Sequence, residues 1–145
     1  MPPLERHALL KPVSREHHEG LMLCWHIRKA LAQGLDPNVQ MRACADFYHT
    51  HLLSHFAIEE EAVFPVLGAG DPLVKRALAE HRRLTRLFLA WEDPLSNLSL
   101  IEEELKAHIR FEERVLFQRV QEVATEEQLE RIDRLHGLLA SSHVV

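Results

Sequence analysis

The sequence predicts an all-α fold, an up-down-up-down four-helix bundle followed by a short fifth C-terminal helix. Three observations support this. The motif H-x-x-x-E-E-x-x-x-F occurs twice, from His55 to Phe64 and from His108 to Phe117. Apolar residues recur at helical spacing around both copies and along three further stretches. Helix-start signals precede the segments, and the short connections between them favour antiparallel neighbours.

Composition limits the function classes that fit the chain. With 145 residues, 46% of them hydrophobic and 27% charged, we expect one soluble domain with a sizeable core. The net charge of -5 and the mixing of basic with acidic residues argue against nucleic-acid or membrane-surface binding. Neither a secretion signal nor a membrane-spanning run is visible, so the expected location is cytoplasmic. Cys24 and Cys44 lack C-x-x-C spacing and are expected to be reduced core residues.

The first segment is predicted to be an arm followed by a helix. Residues 1–13 are expected to form an extended N-terminal arm because their three prolines interrupt a helix. Ser14 is the expected N-cap of a first helix that runs to about Gln33, where a glycine follows. His17 shares a face with the apolar residues of this helix and is the favoured inward histidine. His18, on a neighbouring face, is the alternative.

The second and third helices each open on Asp-Pro, an N-cap residue followed by a proline at the first helical position. The second is predicted from about Pro37 to Phe64 and the third from about Pro72 to Trp91, with His81 on its apolar face. The inward stripe of the second helix is expected to contain Cys44, Tyr48, His51, His55 and Glu59.

The fourth and fifth helices are each predicted from a capping box. Ser99 starts the fourth helix, which runs to about Val123 and carries the second motif copy. Thr125 starts the fifth, over residues 126–140, which is expected to pack on the outside of the bundle or against a partner. The predicted division is an arm at 1–13, a bundle at 14–123 and a C-terminal helix and tail at 124–145. A homodimer is left open.

The repeated motif indicates a metal centre. Residues four apart on a helix share a face, so each copy points an imidazole and a carboxylate in one direction. An ionised carboxylate beside a buried face is costly unless it is compensated, and a shared cation compensates two of them. The six candidate metal ligands are His17, His55, Glu59, His81, His108 and Glu112. Four imidazoles and two bridging carboxylates suit two iron ions, with manganese or zinc less favoured.

Each observation alone also has an ordinary explanation. A histidine on an apolar face, such as His81, is usually a satisfied core residue, and the run Glu59–Glu61 is usually a solvated face. The conjunction of two motif copies with two further inward histidines on alternate helices favours the metal centre. His51 and Tyr48, one and two turns before His55, could supply a fifth ligand, a proton donor or outer support for the imidazoles. The alternative interpretation, given equal weight, is that His51 and Tyr48 form a polar end of the bundle.

From Ser14 to about Phe117 the pattern resembles the hemerythrin-like, or HHE cation-binding, domain. The resemblance implies a di-iron centre with oxo or hydroxo and carboxylate bridges inside the bundle, held by the six candidates. Oxygen-carrying hemerythrins have a second histidine where this chain has Thr85, so the set is more similar to bacterial repair-of-iron-centres proteins and eukaryotic iron-sensing domains. The carriers also use an Asp where this chain has Glu113. Helical geometry and the repeat prefer Glu112, with Glu113 as the alternative.

We therefore expect a non-haem di-iron protein that binds or responds to a small oxidant, O2, NO or peroxide, in sensing, scavenging or iron handling. One alternative is a di-iron oxidoreductase that turns over peroxide or nitric oxide, of the iron-centre repair type. Another is a regulatory module gated by iron, with the fifth helix as its partner surface. No residue is assigned a catalytic role, and a ligand-binding protein is favoured over a dedicated enzyme.

Overall fold

The computed structural model describes residues 5–141, and this part of the chain is a bundle of helices without strands. The expected all-α class is therefore confirmed. The helices are α1 (Lys11–Ala32), α2 (Pro37–Phe47), α3 (Leu53–Ile58), α4 (Pro72–Leu89), α5 (Pro94–Phe111), α6 (Phe117–Val123) and α7 (Glu126–Ser141). Two pairs of them, α2 with α3 and α5 with α6, are joined by helical turns without a break, so residues 5–141 form five rods.

Three single π-helical turns, Tyr48–Leu52, Glu59–Val63 and Glu112–Leu116, lie within the second and fourth rods. In each turn an amide N–H bonds to the carbonyl five residues earlier, as from Phe64 to Glu59 and from Phe117 to Glu112. Isolated π turns are uncommon and often lie at functional sites. Two of them begin at the same glutamate of the repeated motif, so the repeat extends to the backbone.

The fourth rod begins earlier than expected. Asp93 is the N-cap of α5, with Pro94 in the first turn, and its carboxylate accepts from the amide of Ser96. The predicted start at Ser99 is wrong because Asp-Pro opens this helix as it opens the two before it. Asp93 has a φ of 47°, and its side-chain hydrogen bond helps an aspartate hold that left-handed conformation.

The first helix also begins earlier than expected, at Lys11. Pro12 lies in its first turn, where the missing amide hydrogen has no helical partner to lose. Ser14 is not the N-cap, because it lies inside the helix and its hydroxyl donates to the carboxylate of Glu113. Of the predicted arm, residues 1–4 lie outside the described part of the chain, and the proposed domain boundaries stay a prediction.

The core has two apolar clusters, and the second and fourth rods pass through both. One cluster contains Leu52 and Phe56 of the second rod, and the other contains Val63 and Phe64 further along it. The helix α7 packs against α3, α1 and the turn Glu59–Val63. Residues between the two clusters on these rods are therefore enclosed by apolar side chains, as His55 and Glu59 are.

None of the described helices is long and apolar enough to cross a membrane. The cytoplasmic location stays a prediction. Both cysteines, Cys24 and Cys44, are buried free thiols, as expected for core residues.

Candidate metal centre

Six buried polar side chains meet between the two apolar clusters. Each is at most 5% exposed. Helices supply the four histidines, and the first residue of a π turn supplies each glutamate. The structure brings together all six ligands predicted from the sequence: His17, His55, Glu59, His81, His108 and Glu112.

Their ligand atoms form two groups of four, and within each group all four atoms lie within 4.8 Å of one another. The first group contains His17 and His55, and the second contains His81 and His108. Glu59 and Glu112 belong to both groups. Two carboxylates shared between two pairs of imidazoles are the donor arrangement for two adjacent cations rather than one.

The distances within the cluster repeat between the two motif copies. The Nε2 atom of His55 lies 3.3 Å from Glu59 Oε2, and that of His108 lies 3.2 Å from Glu112 Oε2. Each glutamate also faces a histidine of another rod, with His17 Nε2 2.9 Å from Glu112 Oε1. The corresponding distance from His81 Nε2 to Glu59 Oε1 is 3.1 Å. All four Nε2 atoms therefore point at the shared carboxylates.

Most of these inward atoms have no hydrogen-bond partner in the protein, although several are close together. This holds for Nε2 of His55, His81 and His108, both oxygens of Glu59, and Oε2 of Glu112. A buried polar atom left unsatisfied costs about 1–3 kcal/mol, and native proteins contain few of them. Converging imidazole nitrogens and carboxylate oxygens are an ordinary metal donor set. The residues present therefore fit two bound cations.

The outer nitrogen of each histidine contacts a second carboxylate. An ionised carboxylate only accepts hydrogen bonds, so Nδ1 donates and Nε2 is left free to bind a metal. The four Nδ1 contacts are His17 to Glu113 at 3.1 Å, His55 to Glu16 at 2.9 Å, His81 to Glu60 at 2.7 Å and His108 to Glu80 at 2.7 Å.

These four contacts form a closed ring around the centre. Glu16 of the first rod holds the second rod's histidine, Glu60 of the second holds the third's, Glu80 of the third holds the fourth's, and Glu113 of the fourth holds the first's. Sequence reasoning favoured Glu112 over Glu113 as a ligand and assigned no role to Glu16 or Glu80. The available signal was the Glu-His pair present in the first and third helices.

The buried carboxylates of the cluster favour the protonated form of the imidazoles. Burial lowers the pKa of His17 and His81, but the nearby carboxylates of Glu112, Glu59 and the outer glutamates together outweigh it and raise both well above the ordinary value. Burial raises the pKa of Glu112, yet the neighbouring His108 and the contacts with Glu59 and His17 together outweigh this and lower it well below the ordinary value. Metal binding must therefore displace protons from the imidazoles, and metal affinity falls with decreasing pH.

The alternative ligands lie outside both groups. His18 is exposed on α1. Glu113 contacts the outer nitrogen of His17, while Glu112 contacts its inner one. Tyr48 is buried two turns before His55 on the second rod, and its hydroxyl donates to Thr85 Oγ1 at 3.4 Å.

The expected inward position of His51 is wrong, because its side chain is exposed. Burial along the second rod recurs every four residues, at Cys44, Tyr48, Leu52 and Phe56. The π turn Tyr48–Leu52 explains this period, because it has more residues per turn than an α-helix. Leu52 rather than His51 therefore faces the core before His55.

A small cavity lies against three of the imidazoles, those of His17, His55 and His108. It has room for about one water-sized molecule. A Cβ atom added at Gly20 would lie 2.8 Å from Ile109 Cδ1, so the glycine allows the close packing of this wall. The remaining lining residues are Glu16 and the apolar side chains of Leu52, Phe56 and Leu105.

Comparison with protein-family models matches residues 8–99 to the family described as the hemerythrin HHE cation binding domain. The matched segment covers more than half of the chain and includes His17, His55, Glu59 and His81. His108 and Glu112 lie beyond it and join the cluster through their contacts in space. No match was found among the curated proteins or among the solved structures.

Proposed function

The chain belongs to the hemerythrin HHE cation-binding family, and from this premise we propose that it is a non-haem di-iron protein that binds or responds to a small oxidant. The match to residues 8–99 confirms the resemblance to this family that the sequence motifs indicated. The observation that carries the proposal is the convergence of buried nitrogen and carboxylate oxygen atoms that have no partner in the protein. O2, NO and peroxide are the oxidants in view, for sensing, scavenging or iron handling.

The donor set favours iron over zinc. Zinc usually binds four ligands in a closed tetrahedron when its role is structural, and thiolates are common in such sites. Here each group offers two imidazoles and two carboxylates that it shares with the other group. Helical bundles that bind pairs of iron or manganese ions also use inward glutamates and histidines. Four imidazoles among six donors favour iron over manganese, which prefers oxygen ligands.

The protein's own part is to orient the ligands and keep out bulk water. The outer carboxylates fix each imidazole with Nε2 inward, and apolar side chains such as Phe56 cover the cluster. When bound, the iron pair supplies the redox chemistry. The cavity against His17, His55 and His108 has room for about one water-sized molecule, which favours a small oxidant over a larger substrate.

We also propose that the first four rods run up-down-up-down around the centre. The connections between successive rods are short, as between Ala32 and Pro37 or between Leu89 and Pro94. Further support comes from the ring of carboxylate–imidazole contacts, which links each rod to the next and the fourth back to the first. The packing of α1 and α4 against α5 agrees with this order.

The test is to purify the protein aerobically with iron and measure its metal content and absorption spectrum. We expect close to two irons per chain, one for each ligand group, and ferric charge-transfer absorption that bleaches on reduction. Glu59→Gln should abolish both signals. Glu61→Gln is the matched control, because Glu61 belongs to the same run of glutamates and is exposed. Wild-type protein that binds only zinc, or no metal, would refute the proposal.

A further inference from the structure

The outer carboxylate of Glu16 joins the metal centre to the fifth rod. One of its oxygens accepts from His55 Nδ1 at 2.9 Å. The other lies 3.2 Å from Nε2 of His136, on α7. The chain His55–Glu16–His136 therefore runs from the candidate centre to a helix outside the ring of four rods.

The other outer carboxylates have different supports. Glu113 contacts Ser14 and Arg6, which lie in or before the first rod. Glu80 contacts Arg76 on its own helix, α4. In the described part of the chain, the polar contact between an outer carboxylate and α7 is that of Glu16. About a fifth of the His136 side chain and about a third of the Glu16 side chain are exposed. The Arg76 side chain, which supports Glu80, is 56% exposed. Solvent therefore screens the charge of His136 and Glu16 less than it screens that of Arg76.

The docking of α7 brings His136 to Glu16. Leu129 and Ile132 anchor the helix, at 4% and 0% exposure, within the apolar cluster that also contains Ile58 and Val63. His136 follows Ile132 by four residues and so lies on the same face, one turn further along. The apolar anchor and the polar contact are therefore made by one helix surface.

We propose that His136 is a positioning residue of the metal centre, holding Glu16 so that Glu16 holds His55 with its Nε2 atom toward the metals. The inference rests on the di-iron proposal and deepens it. It makes α7 part of the support of the site rather than an independent partner surface. Coupling of this kind is reciprocal, so if docked α7 raises metal affinity, bound metal stabilises the docking of α7 by the same factor.

The experiment compares three variants with wild type. His136→Leu removes the polar contact, His136→Gln retains an N–H donor, and Arg134→Gln removes an exposed cation from the same helix as a matched control. Ferrous affinity is measured by competition with a chelator under anaerobic conditions. Amide hydrogen exchange of α7 is measured with and without metal, and circular dichroism checks that each variant is folded.

Loss of an outer partner of a metal-bound histidine typically weakens metal affinity by about 10–100-fold, and His136 acts one step further out, so we expect about tenfold for His136→Leu. Metal should slow exchange of α7 by about tenfold in wild type, by the reciprocity above, and much less in His136→Leu. His136→Gln should recover most of both effects. Arg134→Gln should match wild type.

Failure of this inference can be distinguished from failure of the di-iron proposal. If wild-type protein binds two irons but exchange of α7 is the same with and without metal, the coupling is refuted, whether or not the variants fold. The same conclusion follows if His136→Leu binds iron as tightly as wild type does. If wild-type protein binds no iron, the di-iron proposal fails, and this inference fails with it.

Discussion

Because Glu59 and Glu112 belong to both ligand groups, replacing different ligands should remove different numbers of metal ions. His55 belongs to one group, together with His17, whereas Glu59 belongs to both. Replacing His55 by Gln should therefore weaken one site and leave the one that contains His81. Replacing Glu59 by Gln should weaken both. The expected order of iron content is two per chain in wild type, one in His55→Gln and none in Glu59→Gln.

The same order should appear in thermal stability. Metal present at 100 times its dissociation constant stabilises the folded state by about 2.7 kcal/mol per site, so two sites give about 5 kcal/mol. For a chain of 145 residues, each kcal/mol raises Tm by about 2–4 °C. Iron should therefore raise the wild-type Tm by about 10–20 °C, that of His55→Gln by about half as much, and that of Glu59→Gln hardly at all.

The assay is an anaerobic melt with and without ferrous iron, paired with metal analysis of the same samples. Each variant is compared with its own metal-free melt, so a change in intrinsic stability does not enter the increment. Glu61→Gln, at an exposed position of the same run, should show the full wild-type increment. Equal loss of iron in His55→Gln and Glu59→Gln would contradict the division into two groups. A full increment in Glu59→Gln would refute the sharing of its carboxylate.

Three further predictions concern pH, thiol reactivity and the cavity. Burial lowers the pKa of His108, but the carboxylates of Glu112, Glu80 and Glu59 together outweigh this and raise it from 6.5 to about 9. A group whose pKa is raised on folding stabilises the folded state most at a pH below its ordinary pKa, here 6.5, and this contribution is lost as the pH rises to about 9. The metal-free protein should therefore become less stable over that pH range in denaturant titrations. A flat profile would contradict this. Burial raises the pKa of Cys24 to about 11 and that of Cys44 to about 12. A thiol reagent at pH 8 should therefore label the native protein slowly, and should label both thiols rapidly after denaturation. Fast labelling of the native protein would show that the thiols are exposed. Gly20→Ala should displace the side chain of Ile109 and narrow the cavity. The reduced protein should then react more slowly with oxidant in stopped-flow traces, while its iron content stays unchanged. An unchanged rate would mean that the oxidant reaches the metals by another route.

The six inward residues could be found from sequence because their signal is periodic. His and Glu four apart share a helical face whatever the exact helix ends. The apolar residues around them then indicate that this face is buried. The inward choice of His17 over His18 follows from the same periodicity, and the structure places them accordingly, at 5% exposure and exposed respectively. Errors of several residues in the helix starts did not disturb these assignments.

The sequence did not predict the features that depart from the regular α-helix. The inward placement of His51 assumed 3.6 residues per turn through a segment that contains the π turn Tyr48–Leu52. Nothing in the local composition distinguishes that turn from an ordinary helix. The helix starts at Lys11 and Pro94 differ from the prediction for another reason, because the N-cap signal at Ser14 and the capping box at Ser99 favoured later starts than the Pro residues that precede them.

The acidic neighbours of the ligands show how one sequence pattern specifies both the site and the fold. Consecutive residues on an α-helix point about 100° apart, since a turn has 3.6 residues. When Glu59 points inward, Glu60 points sideways, toward the outer nitrogen of His81 on the next rod. On the first rod, His17 points its Nε2 atom inward, and Glu16, the residue before it, points sideways to His55. These acidic residues are therefore not simply solvated faces of their helices.

Each of the first four rods thus carries at least one inward candidate ligand and one sideways carboxylate for its neighbour. The contacts run in one direction around the ring, so a carboxylate that orients an imidazole also determines which rod lies beside its own. A different order of rods would leave buried imidazole N–H groups without acceptors, at a cost of about 1–3 kcal/mol for each group. The residues that prepare the centre for metal therefore also disfavour other arrangements of the bundle.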